Sequence, residues 1–481
     1  VKKATAAVGA IVLLGAAWLG ATWYIGKRTE TVYAAAFKQG NARIGQLLGH
    51  VTAARPGLHL ESYERGFFTS SAVYNLHIKD AGGRPVEIRL RDHIQHGPFP
   101  AGSLASGYVM PVLAHIQTGL LATPYTRAWV DSQPDGTPAT GSTTVRLSGD
   151  SSSAWAFRPA TFATRHGVRI AFGGGTMQLD FRNQFRDNDA AGLFQTLSAT
   201  DNASGGTVSM KDIRLNGNTR TGENNAIISA SEARVDTVVI DGGAAETGDD
   251  IVLRQIGAQV DSTQSGKLLD TVHRYDIGSV VAGGLDLGSL AVGGRLNRLD
   301  IPALMALGTE YDAILARQGV TDPAKAVLTP SDQQRLNDRI LELLISRPSL
   351  LLEPVIWKNA QGQATGSLLF DFAAPDPAAL QSAQIVPAFV RKAGLKLSVS
   401  RPMVVEVFRH LRQEGVDEAE LKLIGGMLFD QYAGRLQQAG LVKLNDGTAS
   451  TNMVYEANAM QVNGVVMPMQ EFLMRAMLLF M

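Results

Sequence analysis

The sequence predicts an α+β protein: an N-terminal transmembrane helix, then a large curved antiparallel β-sheet, a meander, covered by helices. Three observations predict it. From Ala4 to Ile25 no residue is charged, while Lys2 and Lys3 precede the stretch and Lys27 and Arg28 follow it. From Thr143 to Leu287 apolar and polar residues alternate at period two between Gly-rich turns, as in strands with one buried face. From Ile301 onward apolar residues recur at helical spacing, which supplies material to cover that face.

The first stretch is long enough, at 1.5 Å per residue, to cross a hydrocarbon core. Trp18, Trp23 and Tyr24 stand at its distal end, where amphipathic rings prefer the headgroup layer. A cleaved signal peptide is the rival reading. The apolar run exceeds the ~7–15 residues of a usual signal core and no clean A-x-A follows it before Lys27, so an uncleaved anchor is expected, with the body exported. Lys27 and Arg28 weaken the positive-inside bias set by Lys2 and Lys3.

Val32, Ala36, Ile44, Leu47, Leu48 and Val51 follow helical spacing, and Thr29 with Glu30 opens the run, so a juxtamembrane helix is expected up to Arg55-Pro56-Gly57. Leu58–Tyr63 then alternates like a strand, and Ala72–Lys79 with Val86–Ile94 read as a hairpin with one wet face. In the second of these, Val86, Ile88, Leu90 and Asp92 share one face while Glu87, Arg89 and Arg91 take the other. Met110–Gly119 is a further strand, and Asp131–Ser142, with its Pro and Gly residues, a loop.

Beyond Thr143 the pairs Val145/Leu147, Val168/Ile170, Leu179/Phe181, Ile213/Leu215, Val238/Ile240, Ile251/Leu253 and Leu285/Leu287 mark around ten strands. A sheet that wide does not stay flat, so it is expected to curl and to need a cover. Ile301–Gln318 and a helix opened by Thr329-Pro330-Ser331-Asp332 are the candidates. Leu350–Trp357 and Ala364–Phe372 make a hairpin, Pro377–Leu397 contains a helix, and Pro402–Arg412 and Glu418–Gly440 are amphipathic helices. Leu441–Leu444 and Met453–Met460 form a second hairpin before a Met- and Phe-rich end. The expected divisions are residues 1–27 as anchor, 28–57 as juxtamembrane helix, 58–300 as β-rich domain and 301–481 as an α+β C-terminal region.

Charge is balanced at 44 basic and 44 acidic residues, which gives no global pull toward nucleic acid. With no cysteine there are no disulfides, no thiolate chemistry and no Cys-based metal site. Nucleophile-elbow, phosphate-loop and H-E-x-x-H patterns are absent, and Gly173-Gly174-Gly175 sits between two strands as a turn. His93 and His96, three apart on a strand, point to opposite faces and do not form a metal pair. No catalytic, cofactor or metal residue is assigned.

Two blocks remain as candidate structural motifs. In Tyr63, Arg65, Gly66, Phe67 and Phe68, the glycine permits a bulge or sharp bend while the two Phe side chains anchor the first strand in the core; a binding lip is the alternative. His96, Gly97, Pro98 and Phe99 read as a rigid turn with an aromatic plug.

These blocks, YERGFFTS from Tyr63 to Ser70 and IQHGPFP from Ile94 to Pro100, together with the N-terminal stretch, resemble the YdgA-like family of Gram-negative bacteria. The resemblance extends over the whole length, including the late Val462-Asn463-Gly464. It implies a single-pass inner-membrane protein with a periplasmic body and no assigned reaction, and it carries no catalytic residues to transfer. The expected function is accordingly a non-enzymatic envelope protein that binds a lipid or another apolar ligand on its one-sided sheet. A scaffolding homo-oligomer, such as a homodimer, and an enzyme with a dispersed site are the alternatives. The ligand and the physiological process leave no trace in the sequence.

Overall fold

Strand alternation carries into the structure almost element by element. The computed structural model describes residues 22, 24–31, 33–35, 57–79, 85–164, 167–243, 250–318, 326–374, 389–409 and 417–477. Two compact units divide between Thr221 and Gly222. Most of the expected span from Ala4 to Ile25, the second half of the juxtamembrane helix and residues 375–388 lie outside the described residues. Among the described residues no helix is long and apolar enough to cross a membrane.

The first unit opens with helical residues 24–31 and 33–35, here α1. Its strands are β1 (Gly57–Arg65), β2 (Thr69–Lys79), β3 (Pro85–His96), β4 (Val112–Leu121), β5 (Ala139–Arg146) and β6 (Ser151–Phe157), each antiparallel to the next. The hairpin of β7 (Ala160–Ala163) and β8 (Val168–Phe172) leaves this order, so that β9 (Gly175–Arg182) lies beside β6. The long β10 (Asp187–Asp201) pairs with β9 along one half and with β8 along the other, and β11 (Thr207–Thr221) takes its second edge.

The amphipathic pattern of β3 shows why these strands form. Asp92 and Ile94 are buried, whereas Arg89 and Arg91 are exposed on the opposite face. There the Arg89 guanidinium donates through Nε to Glu61 Oε2 at 2.7 Å. Glu61 is the extra residue of a β-bulge in β1, where the register shifts between Leu60 and Ser62. Of the bulge or sharp bend expected at Gly66, the bulge stands five residues earlier and the sharp bend is at Gly66. Gly66 itself makes the β1–β2 turn, its N–H donating to Thr69 O at 2.8 Å, and a Cβ there would come within 2.6 Å of that oxygen. The expected loop Asp131–Ser142 is also shorter, since β5 begins at Ala139.

The second unit is a meander of β12 (Ile227–Asp241), β13 (Ile251–Ser265), β14 (Leu268–Ala282) and β15 (Leu285–Asp300). Two helices, Ile301–Gln318 and Pro330–Leu344, follow, the second opened by a capping box between Thr329 and Asp332. The chain then returns to the same sheet. β16 (Ser349–Asn359) pairs with β15, β17 (Gly362–Phe372) with β16, and β18 (Val390–Ser400) with β17.

Of the stretch Pro377–Leu397, expected to contain a helix, residues 377–388 lie outside the described residues, and Val390–Leu397 is strand because it fits between β17 and β20 (Thr448–Glu456), which β19 (Lys443–Asn445) also joins, and both β17 and β20 complete its backbone hydrogen bonds. The expected strand Met453–Met460 is split by a turn at Ala457-Asn458, and Met460 belongs to β21 (Ala459–Val462), which pairs with β22 (Val465–Pro468). Leu441, Tyr455, Met460, Val462 and Met467 form a core there, with Phe472 of the helix Met469–Met477 against it.

Candidate functional site

Register in the second unit gathers apolar residues into rows across the strands. Val235, Ile256, Ile277, Leu290, Trp357, Ala364 and Val399 are successive partners from β12 to β18. A second row, Ala233, Ala258, Tyr275, Val292, Val355, Gly366 and Leu397, lies on the same face two residues along. A third runs through Val260, His273, Gly294, Leu352, Leu368, Leu395 and Met453. Between them, on the opposite face, stand Arg234, Gln259, Arg274 and Asp276. Seven strands at ~4.8 Å spacing make the first row about 30 Å long.

The face is open. Tyr275 keeps 49%, Val292 39% and Leu397 44% of their surface exposed. The helices expected to cover it do not. Ile301–Gln318 packs against Pro330–Leu344, with Glu310 and Arg335 paired at 2.9 Å between them. The two helices pack mainly on each other, the first also meeting β15, and Arg401–Arg409 lies against β17 and β18, with Asn359 of β16 donating to Met403 O at 3.2 Å. Relief is uneven too. Gly366 stands between Val355 and Leu397, and a groove of about 700 Å³ opens there, with Thr451 and Asn463 at its border.

The first unit has the same kind of face, but α1 covers its beginning. Ile25, Thr29 and Tyr33 are buried on one side of the helix, and Tyr33 joins Ala72, Ile94, Ala114 and Ile116 in a core. The Tyr33 hydroxyl donates to Asp92 Oδ2 at 2.7 Å, Thr118 Oγ1 donates to Asp92 Oδ1 at 2.6 Å, and Tyr74 adds a third hydrogen bond to the carboxyl. Burial pushes the Asp92 carboxyl above the ordinary aspartate range, against the pull of those three hydroxyls. Burial and the neighbouring Asp92 likewise push the Tyr33 phenol up. Beyond the described residues of α1, the face continues through Gly141, Trp155 and Met177 along a groove of about 720 Å³.

The raised Asp92 carboxyl sets a sign for pH dependence. A proton held more tightly in the folded state contributes stability fully present below the unfolded aspartate value of about 3.9, lost as pH rises through the folded value. Asp92→Asn, neutral at every pH, is expected to flatten that loss. The check is the urea midpoint of wild type and variant between pH 4 and pH 8. His96 and His115, held down by burial, act oppositely and equally in both proteins, so the difference isolates Asp92.

The two sequence motifs meet at one end of this sheet. His96 N–H donates to Phe68 O at 2.8 Å, and the His96 ring lies between Ser70 Oγ, 2.8 Å from Nε2, and Phe67 O, 3.0 Å from Nδ1. Donation from Nδ1 to the carbonyl leaves Nε2 to accept from Ser70. That is the connectivity of a nucleophile, base and orienting group. Both side chains are buried, however, and Gly26 of α1 lies so close to the ring that a Cβ would come within 2.6 Å of Nδ1, which leaves no room for a substrate. The pair braces the turn and the helix.

Gly97 donates to Leu113 O at 2.9 Å, its peptide bond to Pro98 is cis, and a Cβ on it would meet Val112 O. Tyr63 sits against Tyr33 with ring centroids 5.5 Å apart, and Arg65 faces Glu30 of α1 at 3.9 Å. The aromatic residues depart from expectation. Phe67 and Phe68 are 46% and 47% exposed and anchor no core, because they cap the β1–β2 turn beyond the last paired residues. Phe99 is 44% exposed. Tyr33 and Thr118 escaped the sequence reading; Asp92 left a signal, a carboxylate in the apolar register of β3. Among the described residues no three His, Asp or Glu side chains gather as a metal site.

Comparison with known proteins agrees with the motifs. A family model described as "Bacterial protein of unknown function (DUF945)" matches residues 1–470. Protein YdgA of Escherichia coli K12 is 24% identical over 506 aligned residues, covering 98% of this chain and 96% of its own. The uncharacterized protein YihF of the same organism is 23% identical over 492 residues, covering 98% of each. No solved structure matches the chain.

Proposed function

We propose, from the premise that the chain belongs to the DUF945 family of bacterial proteins of unknown function, that it is a non-enzymatic protein of the cell envelope which holds a lipid on its one-sided sheet. In this reading its uncharged N-terminal stretch anchors it in the inner membrane and its body lies in the periplasm. The observation that carries the proposal is the open apolar face of β12–β18. Apolar area of that extent on a folded protein marks a surface that is covered in use. Its relief favours an acyl chain over a flat protein partner, since the groove beside Gly366 has the volume of a small-molecule site.

The Ser70–His96 pair does not revive an enzyme, because α1 occupies the approach a substrate would need. Lipid extracted with the full-length protein from envelopes, counted against protein, is the test. About one or more phospholipids per chain, retained through delipidating washes, is the expected result. A lipid-free protein that runs as a dimer would instead favour a scaffold whose two copies cover the face.

A further inference from the structure

The antiparallel order of the first unit brings four described connections to one end of its sheet: 66–68 between β1 and β2, 97–111 between β3 and β4, 147–150 between β5 and β6, and 183–186 between β9 and β10, where Asn183 N–H donates to Asp150 Oδ1 at 3.1 Å. The N-terminal end of α1 is there as well. Gly26 lies on His96, the last residue of β3, while Tyr33 reaches Asp92, four residues earlier in that strand. Followed backward, the chain therefore leaves its docking site at this end, heading into the uncharged stretch that finishes at Ile25.

Exposed apolar side chains concentrate at the same place. Phe67, Phe68 and Phe99 are nearly half exposed, Tyr24 61%, Met110 63% and Val109 69%. These are not loose loops. The Phe67 and Phe68 rings meet edge to face at 4.8 Å, and the turns beneath are fixed by the Ser70–His96–Phe67 hydrogen bonds and by Val112 N–H to Pro98 O at 2.9 Å. Lys27 and Arg28, both exposed, add positive charge beside them. Among the described residues of the opposite end, Arg127, Asp131 and the pair Asp135–Arg158 supply charge beside Tyr125, Trp129 and Val130.

We propose that this end of the sheet is a membrane-contact surface, its aromatic and Met side chains seated in the headgroup layer of the bilayer that the N-terminal stretch enters. The inference rests on the anchor reading above. Aromatic rings beside basic residues are the side chains that partition to that layer, with the cations drawn to anionic lipid. The surface also accounts for the two sequence motifs, whose buried members brace the turns while their Phe residues face outward.

The chain has no cysteine, so single labels can be placed at will. In the full-length protein reconstituted into phosphatidylethanolamine and phosphatidylglycerol vesicles, bimane is attached to Leu14→Cys, Phe67→Cys, Phe99→Cys, Met110→Cys or Ser132→Cys and challenged with nitroxide-bearing lipid. The expected result is strong quenching at 14, clear quenching at 67, 99 and 110, and none at 132, which lies at the opposite end. Quenching at 14 alone would overturn the contact surface and leave the anchor standing. Quenching nowhere would overturn the anchor and the surface with it. Equal quenching at 132 and 67 would also overturn it, as adsorption without orientation.

Discussion

Tyr33→Ala is expected to release α1 from the sheet and to lower the stability of the first unit by about 3–5 kcal/mol, the usual cost of truncating a large buried aromatic. Two losses combine at this position. The ring leaves the core it shares with Ile94, Ala114 and Ile116, and the Asp92 carboxyl loses the hydroxyl that donates at 2.7 Å. Tyr33→Phe separates them, since it keeps the ring and strands the acceptor, at about 1–3 kcal/mol. Hydrogen exchange at residues 24–35 and the denaturant midpoint are the readouts. Loss of protection in α1 with intact strands would mean the helix is a docked element that the sheet survives without. Unchanged protection in Tyr33→Ala would mean that Ile25, Gly26 and Thr29 hold it without the ring.

The second large effect separates binding from folding. Leu290→Asp together with Leu397→Asp places two charges on the open face, in neighbouring rows. Both side chains are more than a third exposed, so the charges stay partly solvated and the cost in stability stays near about 1 kcal/mol per site, the range of strand propensity. Lipid retention, by contrast, is expected to fall at least tenfold, because a carboxylate on an apolar seat is left without a partner when acyl chains displace its water. Arg274→Gln, on the opposite face, is the control and is expected to change neither property. Equal lipid in all three proteins would remove the face from the binding account.

Period-two alternation made the strands legible, because a half-buried sheet imposes it on every strand independently of where that strand pairs. Local pattern fails where pairing decides. The spacing of Leu380, Ile385 and Phe389 predicts a helix within Pro377–Leu397 but does not show where it stops, and Val390–Leu397 is a strand because β17 and β20 stand on either side of it. The apolar stripes of Ile301–Gln318 and Pro330–Leu344 were readable, but not their target, since two amphipathic helices satisfy each other as well as a sheet. At the candidate site the faces were visible and the partners were not. Tyr33 reaches Asp92 across 59 positions of sequence, and Phe67 and Phe68 are exposed because of where the turn falls, which their apolar character does not disclose.

In-cell photo-crosslinking tests the central claim most directly. Benzoylphenylalanine replaces Ile256, Leu290 or Leu397 on the apolar face, and Arg234, Gln259 or Arg274 on the opposite face, of the full-length protein. After irradiation, lipid adducts on the purified protein are read by mass. Phospholipid adducts at the three apolar positions and none at the three polar ones is the predicted result. Lipid-free protein at all six, or adducts equal on both faces, would contradict it.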